Sequence, residues 1–359
     1  MNLLIVSTVA FNKHGIPVSI MNNYRLFNHN DIHCTFVTYG SIDEEFKKEI
    51  LQNGDEVFLL PHRKKRTLRY IRELRKIAKS LNYDIAHVHG NSSTMLFELL
   101  ALKGLVTVVC QAHNTDCVHS MLHKVLYPLF IKEVNHRVAC TYEAGTFLYQ
   151  NHTFKVLKNG ISAGDYKFSN DVRKKIRDDM EVSDKFVILH VGSFNKQKNH
   201  EYLIDIFKMY HDKNPKSQLW LVGEGATKDK VKNLTKKYEI EEFVNFIGRT
   251  NEVAKYMMAA DCFVLPSLYE SFGIVNVEAQ ATGLPCVVST SVPDAAKVSE
   301  YFYKVSLNDV KRWVETIELC QKIAIQRKIS YLDIFRHGFD VSKTSEELIN
   351  YYKSLWGNV

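Results

Sequence analysis

Asp261-Cys262-Phe263-Val264-Leu265-Pro266-Ser267-Leu268-Tyr269-Glu270-Ser271-Phe272-Gly273-Ile274-Val275-Asn276-Val277-Glu278-Ala279 reads as a buried strand, a tight turn and the opening of a helix. The apolar run ending at Leu265 has the length of a strand, and Pro266 with Ser267 stops it. Ser271-Phe272-Gly273 is a small-residue step before the helix. Gly273 lets a ligand come close to the backbone. A helix start offers unpaired N–H groups and the positive end of a dipole, which suit a diphosphate. Glu270 sits just before the helix and Glu278 a turn into it. Two carboxylates there repel a bare phosphate, so they are matched to hydroxyl groups, those of a hexose and a ribose being the obvious candidates.

Upstream, Val191-Gly192-Ser193-Phe194-Asn195-Lys196-Gln197-Lys198-Asn199-His200 follows another apolar run, Phe186 to Val191. Gly192 permits a tight turn, and a lysine beside the next helix can neutralise a leaving diphosphate. Further apolar runs at 218–222, 244–247 and 285–288 complete one alternating series. A first series has its runs at 3–9, 34–38, 57–60, 85–88, 106–110 and 137–140. Helical stretches lie between the runs, for instance 16–27 and 68–81, so parallel sheets covered on both faces are expected. Lys158-Asn159-Gly160-Ile161-Ser162-Ala163-Gly164-Asp165 breaks the pattern as a linker. The expected fold is α/β, two Rossmann-like β/α/β domains facing a deep interdomain cleft. Residues 1–162 form the first, 163–338 the second, and 339–359 a helix crossing back to the first. Open parallel sheets bind ligands at the carboxyl ends of their strands.

The 359 residues exceed one comfortable core, and 45% apolar with 24% charged is the balance of a soluble globular protein. No run is long enough to span a membrane, and the first residues lack the features of a secretory signal. Seven scattered cysteines without a Cys-x-x-Cys pair argue for buried small hydrophobes in a reducing, cytoplasmic setting. There is no Walker loop, no Gly-x-Gly-x-x-Gly after the first strand and no Asp-x-Asp, so neither a dinucleotide cofactor nor a metal is expected. The net charge of +7 admits nucleic acid, an anionic membrane or an anionic substrate. Its densest part is Arg63 to Lys79, with nine cations (Arg63, Lys64, Lys65, Arg66, Arg69, Arg72, Arg75, Lys76, Lys79) against Glu73 alone. That segment reads as an amphipathic helix for an anionic membrane surface, or as a solvated surface helix. It carries no stacking platform or motif for nucleic acid.

At the two glycine-bearing stretches the chain resembles retaining glycosyltransferases of family 4, which have the GT-B fold. Glu270 and Glu278 match that family's E-x7-E signature around Ser-Phe-Gly. Lys198-Asn199, Val222-Gly223-Glu224-Gly225, Phe246-Ile247-Gly248-Arg249 and Asn159-Gly160-Ile161 match further loops. Gly15-Ile16, Asp84-Ile85-Ala86-His87-Val88-His89-Gly90 and His113-Asn114-Thr115 match in the first half, so the resemblance covers nearly the whole chain. It is especially close to capsule and exopolysaccharide transferases of bacteria. The resemblance implies a metal-independent enzyme that moves a hexose from a nucleotide-sugar donor, UDP favoured, to a glycan or lipid-linked saccharide acceptor. It implies a cytoplasmic place, peripheral to the inner face of the cell membrane. Glu270 would hold donor-sugar hydroxyls, and Glu278 the ribose. Lys198 and the N–H groups of Phe272, Gly273 and Ile274 would hold the diphosphate. Arg249 would lie at the base, Gly15 near the donor phosphates, and His113 against the transferred sugar. Ser193 stands where the family usually has arginine, and Pro17 where related polymer transferases tend to have an acid.

Each residue also has a plainer reading. Glu270 and Glu278 alone could be solvated helix-start carboxylates, Lys198 and Arg249 surface charges, and His113 a satisfied strand-end histidine. Gly223-Glu224-Gly225 needs nothing beyond a turn. His87 and His89 flank Val88 and are expected on opposite sides of a strand, structural in role. Two other functions fit such a fold: a non-catalytic subunit stabilising a partner transferase, and a sugar-nucleotide epimerase, which would not need the E-x7-E pattern.

Overall fold

The structure, a computed structural model, describes residues 1–356 apart from 14, 118, 323–326, 328 and 329. It divides into two units, Met1–Gly160 with Asp340–Val359, and Ile161–Phe339. In the first, seven parallel strands run β1 (Asn2–Ser7), β2 (His33–Tyr39), β3 (Glu56–Leu60), β4 (Ile85–Gly90), β5 (Thr107–Ala112), β6 (His136–Ala139) and β7 (Lys155–Val156). Their spatial order is β3-β2-β1-β4-β5-β6-β7. The intervening helices are α1 (Gly15–Tyr24), α2 (Glu44–Gln52), α3 (Thr67–Ser80), α4 (Leu96–Leu102), α5 (Ser120–Glu133) and α6 (Tyr142–Tyr149).

The second unit holds six parallel strands, β8 (Phe186–Val191), β9 (Ser217–Val222), β10 (Val244–Gly248), β11 (Cys262–Leu265), β12 (Cys286–Ser289) and β13 (Phe302–Val305), ordered β10-β9-β8-β11-β12-β13. Its helices are α7 (Asn170–Asp179), α8 (His200–Lys213), α9 (Lys228–Lys237), α10 (Val253–Ala259), α11 (Ile274–Ala281), α12 (Val310–Lys322) and α13 (Ser330–Arg336). The last helix, α14 (Val341–Trp356), belongs to the first unit.

Each sheet is buried on both faces, which is why its strands read as continuous apolar runs. On one face of the first sheet, Leu4, Val6 and Val88 pack with Tyr70, Leu74, Leu99 and Phe130 from α3, α4 and α5. On the other, Leu3, Ile5 and Phe36 meet Ile20 of α1 and Leu348 and Tyr352 of α14. The strand order reverses between β1 and β4 and again between β8 and β11, so each sheet has a switch point where loops part at its carboxyl edge.

Two strands escape the sequence reading. β7 is only two residues long, and β13 sits in the mixed run Tyr301-Phe302-Tyr303-Lys304. Asp261, at the head of the decisive stretch, proves structural. Its carboxylate takes Arg173 Nη2 at 2.5 Å, Arg177 Nη1 at 3.0 Å and the Val187 N–H at 2.8 Å, fastening α7 and β8 to the start of β11. All seven cysteines are free and six are buried, as small hydrophobes are. Among the described residues no helix is long and apolar enough to cross a membrane.

Candidate active site

In the second unit the loops after β8 and β11, which flank the switch point, are laced together. The Leu268 N–H donates to the Gln197 carbonyl at 2.8 Å, and Gln197 Nε2 to the Tyr269 carbonyl at 3.0 Å. The hydroxyls of Ser289 and Ser291 both donate to the Ser267 carbonyl, at 2.6 and 2.8 Å. Phe194 anchors the first loop, fully buried and stacked on His200 with ring centroids 4.0 Å apart. On this frame Lys198 Nζ donates to Glu270 Oε1 at 2.5 Å, and the Ser267 hydroxyl donates to the same oxygen at 2.8 Å. Both donors take Oε1, so Oε2 keeps its lone pairs for a ligand. The pair is mostly shielded, with 15% of the Lys198 side chain and 5% of that of Glu270 exposed.

Gly273 caps α11 with φ +70°, a left-handed conformation that favours glycine. A Cβ there would come within 2.5 Å of Asn276 Nδ2. Asn276 is fully buried, and neither of its side-chain polar atoms has a partner among the described residues. This amide, beneath the free N–H groups of the helix start, is the feature the sequence reading missed. Its signal is one polar residue inside the apolar run Ile274-Val275-Asn276-Val277. Phe272 is buried against the Phe339 ring, centroids 5.1 Å apart, which fixes the approach to the helix. Glu278 lies further along α11, where burial pushes its carboxyl up to about 7, while a hydrogen bond with the Tyr166 hydroxyl works the other way.

The glycines of the neighbouring loop are more than turn formers. A Cβ on Gly223 would lie 2.1 Å from the Gly192 carbonyl oxygen, and one on Gly225 2.3 Å from that of Phe194. Backbone therefore packs on backbone, and the loop after β9 braces the one carrying Lys198. Ser193 and Arg249 are exposed at the rims of these loops. Beneath Lys198 lie two buried histidines, His190 and His200, which burial keeps neutral, with pKa values lowered to about 3 and about 2.

In the first unit His113 follows β5, buried at the carboxyl edge of the sheet. Its Nε2 shares a hydrogen bond with His89 Nδ1 at 2.9 Å, and its Nδ1 has no partner among the described residues. Burial lowers its pKa to about 3, so it is a neutral imidazole. His87 and His89 do not face opposite sides. Their rings lie 3.9 Å apart, because alternate residues of a strand share a face. His87 Nδ1 in turn meets the Tyr352 hydroxyl at 2.6 Å, so hydrogen bonds at either end and a ring contact between His87 and His89 link α14 to His113. Gly15 opens α1 at φ +40° with open space around its Cα.

Arg63 is not part of a cationic surface. It is buried, donating from Nε and Nη2 to Glu98 at 2.9 and 2.6 Å and to Thr94, and so ties the β3–α3 loop to α4. Arg75 is also engaged, donating to the carbonyls of Ala101 and Lys103 at 2.9 and 3.2 Å.

Comparison with known proteins bears on both units. Residues 172–326 match the family described as Glycosyl transferases group 1, and residues 14–163 match Glycosyltransferase Family 4. A putative glycosyltransferase of Bacillus subtilis, EpsF, is 26% identical over 96% of this chain and 94% of its own. An Escherichia coli UDP-Gal:α-D-GlcNAc-diphosphoundecaprenol α-1,3-galactosyltransferase is 26% identical over 68% of each chain. The crystal structure of Anabaena HepE in complex with UDP is similar with a TM-score of 0.81 at 18% identity, over 99% of this chain and 100% of the other. That likeness gives the fold, GT-B.

Proposed function

Because the chain belongs to the group 1 glycosyl transferases, with a family 4 first half, we propose that it moves a hexose from a UDP-sugar to a glycan or lipid-linked saccharide, with retention and without a metal. The carrying observation is the shielded Lys198–Glu270–Ser267 cluster beside the Gly273 helix start. HepE was also solved with UDP-glucose, and the E. coli relative is named for a UDP-galactose donor and a lipid diphosphate acceptor; both favour such substrates. Work in bacterial cell-surface polysaccharide synthesis is part of this reading, favoured by the lipid diphosphate acceptor in the name of the E. coli relative.

In this reading the diphosphate rests on Lys198 and on the N–H groups of Phe272, Gly273 and Ile274. An ammonium has three hydrogens, so Lys198 can keep one on Glu270 while giving others to phosphate oxygens. Glu270 then takes sugar hydroxyls on Oε2. Glu278 accepts from the ribose, and Arg249 lies toward the base. Gly15 leaves its loop free to approach phosphate. His113 presents its unpartnered Nδ1 to the transferred sugar. The bond between the anomeric carbon and the β-phosphate oxygen breaks, and the bond to the acceptor oxygen forms on the same face. The acceptor proton passes to the departing phosphate oxygen, whose growing charge Lys198 and the helix start offset.

The test is nucleotide release from a panel of UDP- and GDP-sugars in the presence of a chelator. Slow release from one donor, reduced about 100- to 1,000-fold in Lys198→Ala and also lost in Glu270→Ala, is the expected result. No release from any donor, even with a membrane extract as acceptor source, would turn the reading to a non-catalytic partner subunit.

A further inference from the structure

β4 is buried along its whole length, so an apolar side chain would satisfy packing at position 89. An imidazole stands there instead, and its Nδ1 lies 2.9 Å from His113 Nε2. The backbone is fixed on both sides of this bond. The Thr8 N–H donates to the His89 carbonyl at 3.0 Å, and the His113 N–H to the Gly90 carbonyl at 3.3 Å. The His89 ring also lies against the His87 ring, which the Tyr352 hydroxyl holds in turn.

Burial keeps His89 and His113 neutral, so each ring carries one hydrogen and a single hydrogen serves the bond between them. Two arrangements satisfy that bond, and they differ at the far nitrogen of His113. If His89 donates, His113 bears its hydrogen on Nδ1, a buried donor with no partner among the described residues. If His113 donates from Nε2, its Nδ1 is a bare acceptor and His89 bears its hydrogen on Nε2. Buried donors without partners are the rarer orphans, so the second arrangement is favoured. His89 also lines a cavity of about 20 Å³, room for about one water, whose walls include Ser19, Asn23, Gln111 and Tyr352. Polar walls of that kind offer the His89 Nε2 hydrogen a partner.

We propose that His89 is a positioning residue: it accepts from His113 Nε2 and so fixes His113 in the tautomer whose bare Nδ1 takes a hydroxyl hydrogen of the transferred sugar. Such a role rests on the proposed reaction, in which His113 meets that sugar. Without His89 the imidazole exchanges tautomers, and a bare nitrogen faces the sugar only part of the time. The sugar then loses its alignment with the acceptor oxygen, which costs rate rather than nucleotide affinity.

Asparagine and leucine share one shape, and asparagine Oδ1 falls where the histidine Nδ1 was. His89→Asn and His89→Leu therefore leave the same gap and differ at that acceptor. Nitrogen-15 spectra of the histidine rings in the ligand-free wild type should show His113, identified by its loss in His113→Gln, with a bare Nδ1 and a hydrogen on Nε2. His89→Asn should keep that pattern, and His89→Leu should move both nitrogens toward averaged tautomers. At saturating donor, UDP release should fall about 10- to 100-fold from the asparagine to the leucine variant, with equal UDP affinity by calorimetry. A hydrogen on His113 Nδ1 in the wild type would overturn the proposal, even if the leucine variant failed to fold. Equal release by the two variants, or UDP affinity lost along with the rate, would overturn it too. The spectra need no turnover. A wild type with the stated tautomer but inactive on every donor would overturn the proposed reaction, and the sugar contact with it, while upholding the grip of His89 on His113.

Discussion

Glu278 carries the clearest pH signature of any single residue in the site. Its folded-state pKa, about 7, lies above its ordinary 4.5 because of burial. Its contribution to stability is therefore complete below about 4.5 and is lost as pH climbs through about 7, where the folded protein must hold a buried charge. Ligand binding runs the other way if Glu278 accepts from ribose, since the carboxylate accepts hydroxyl hydrogens more strongly than the acid does. UDP affinity, followed by calorimetry, should rise between about pH 6 and pH 8. Glu278→Gln should remove that part of the rise, leaving the phosphate's own ionisation; equal slopes in the two proteins would take Glu278 out of the ribose role. The spacing of Glu270 and Glu278 was legible because both lie in one unbroken stretch. The bond between Lys198 and Glu270 was not, since 72 positions separate them and only the sheet order brings β8 beside β11. The histidines of β4 depart from expectation for a simpler reason: residues two apart on a strand point to the same face.

Elements also meet tightly where the chain passes from β7 toward the second unit. A Cβ on Gly160 would lie 2.2 Å from Thr344 Oγ1 and 2.6 Å from the Val341 Cα. The hydroxyl can turn away, but the Cα belongs to the first turn of α14 and cannot. Gly160→Ala should therefore destabilise the first unit by about 1–3 kcal/mol, read from urea unfolding. An unchanged midpoint would mean that the helix start yields freely. Most elements were legible because buried parallel strands announce themselves as short apolar runs. The basic segment was only half legible. Its helix was evident, yet Arg63 and Arg75 spend their charge inside the fold, on Glu98 and on the end of α4. The exposed apolar row of α5, Met121, Val125 and Leu129, was hidden for a related reason. A helix apolar on most sides shows no outward face until its neighbours are known.

Across the whole molecule the two sheets repeat one plan, with strand orders that reverse at the first strand of each. That repetition is what two alternating series of apolar runs conveyed. The return of α14 is held by side chains scattered along it: Ser345 Oγ donates to the Asn23 carbonyl at 3.3 Å, Leu348 joins the core, and Tyr352 reaches His87. A chain ending at Phe339 should leave Leu3, Ile5 and Ile20 uncovered, and should aggregate or lose the first unit's melting transition. A truncated chain with that transition intact would make α14 an ornament. The same arrangement sets an order of events at the ribosome. The second unit is one continuous stretch, complete as Phe339 emerges, whereas the first must hold a seven-stranded sheet open until α14 has followed it. The half of the chain made first is thus the half finished last, and during that wait its bare sheet face is the part a chaperone would grip.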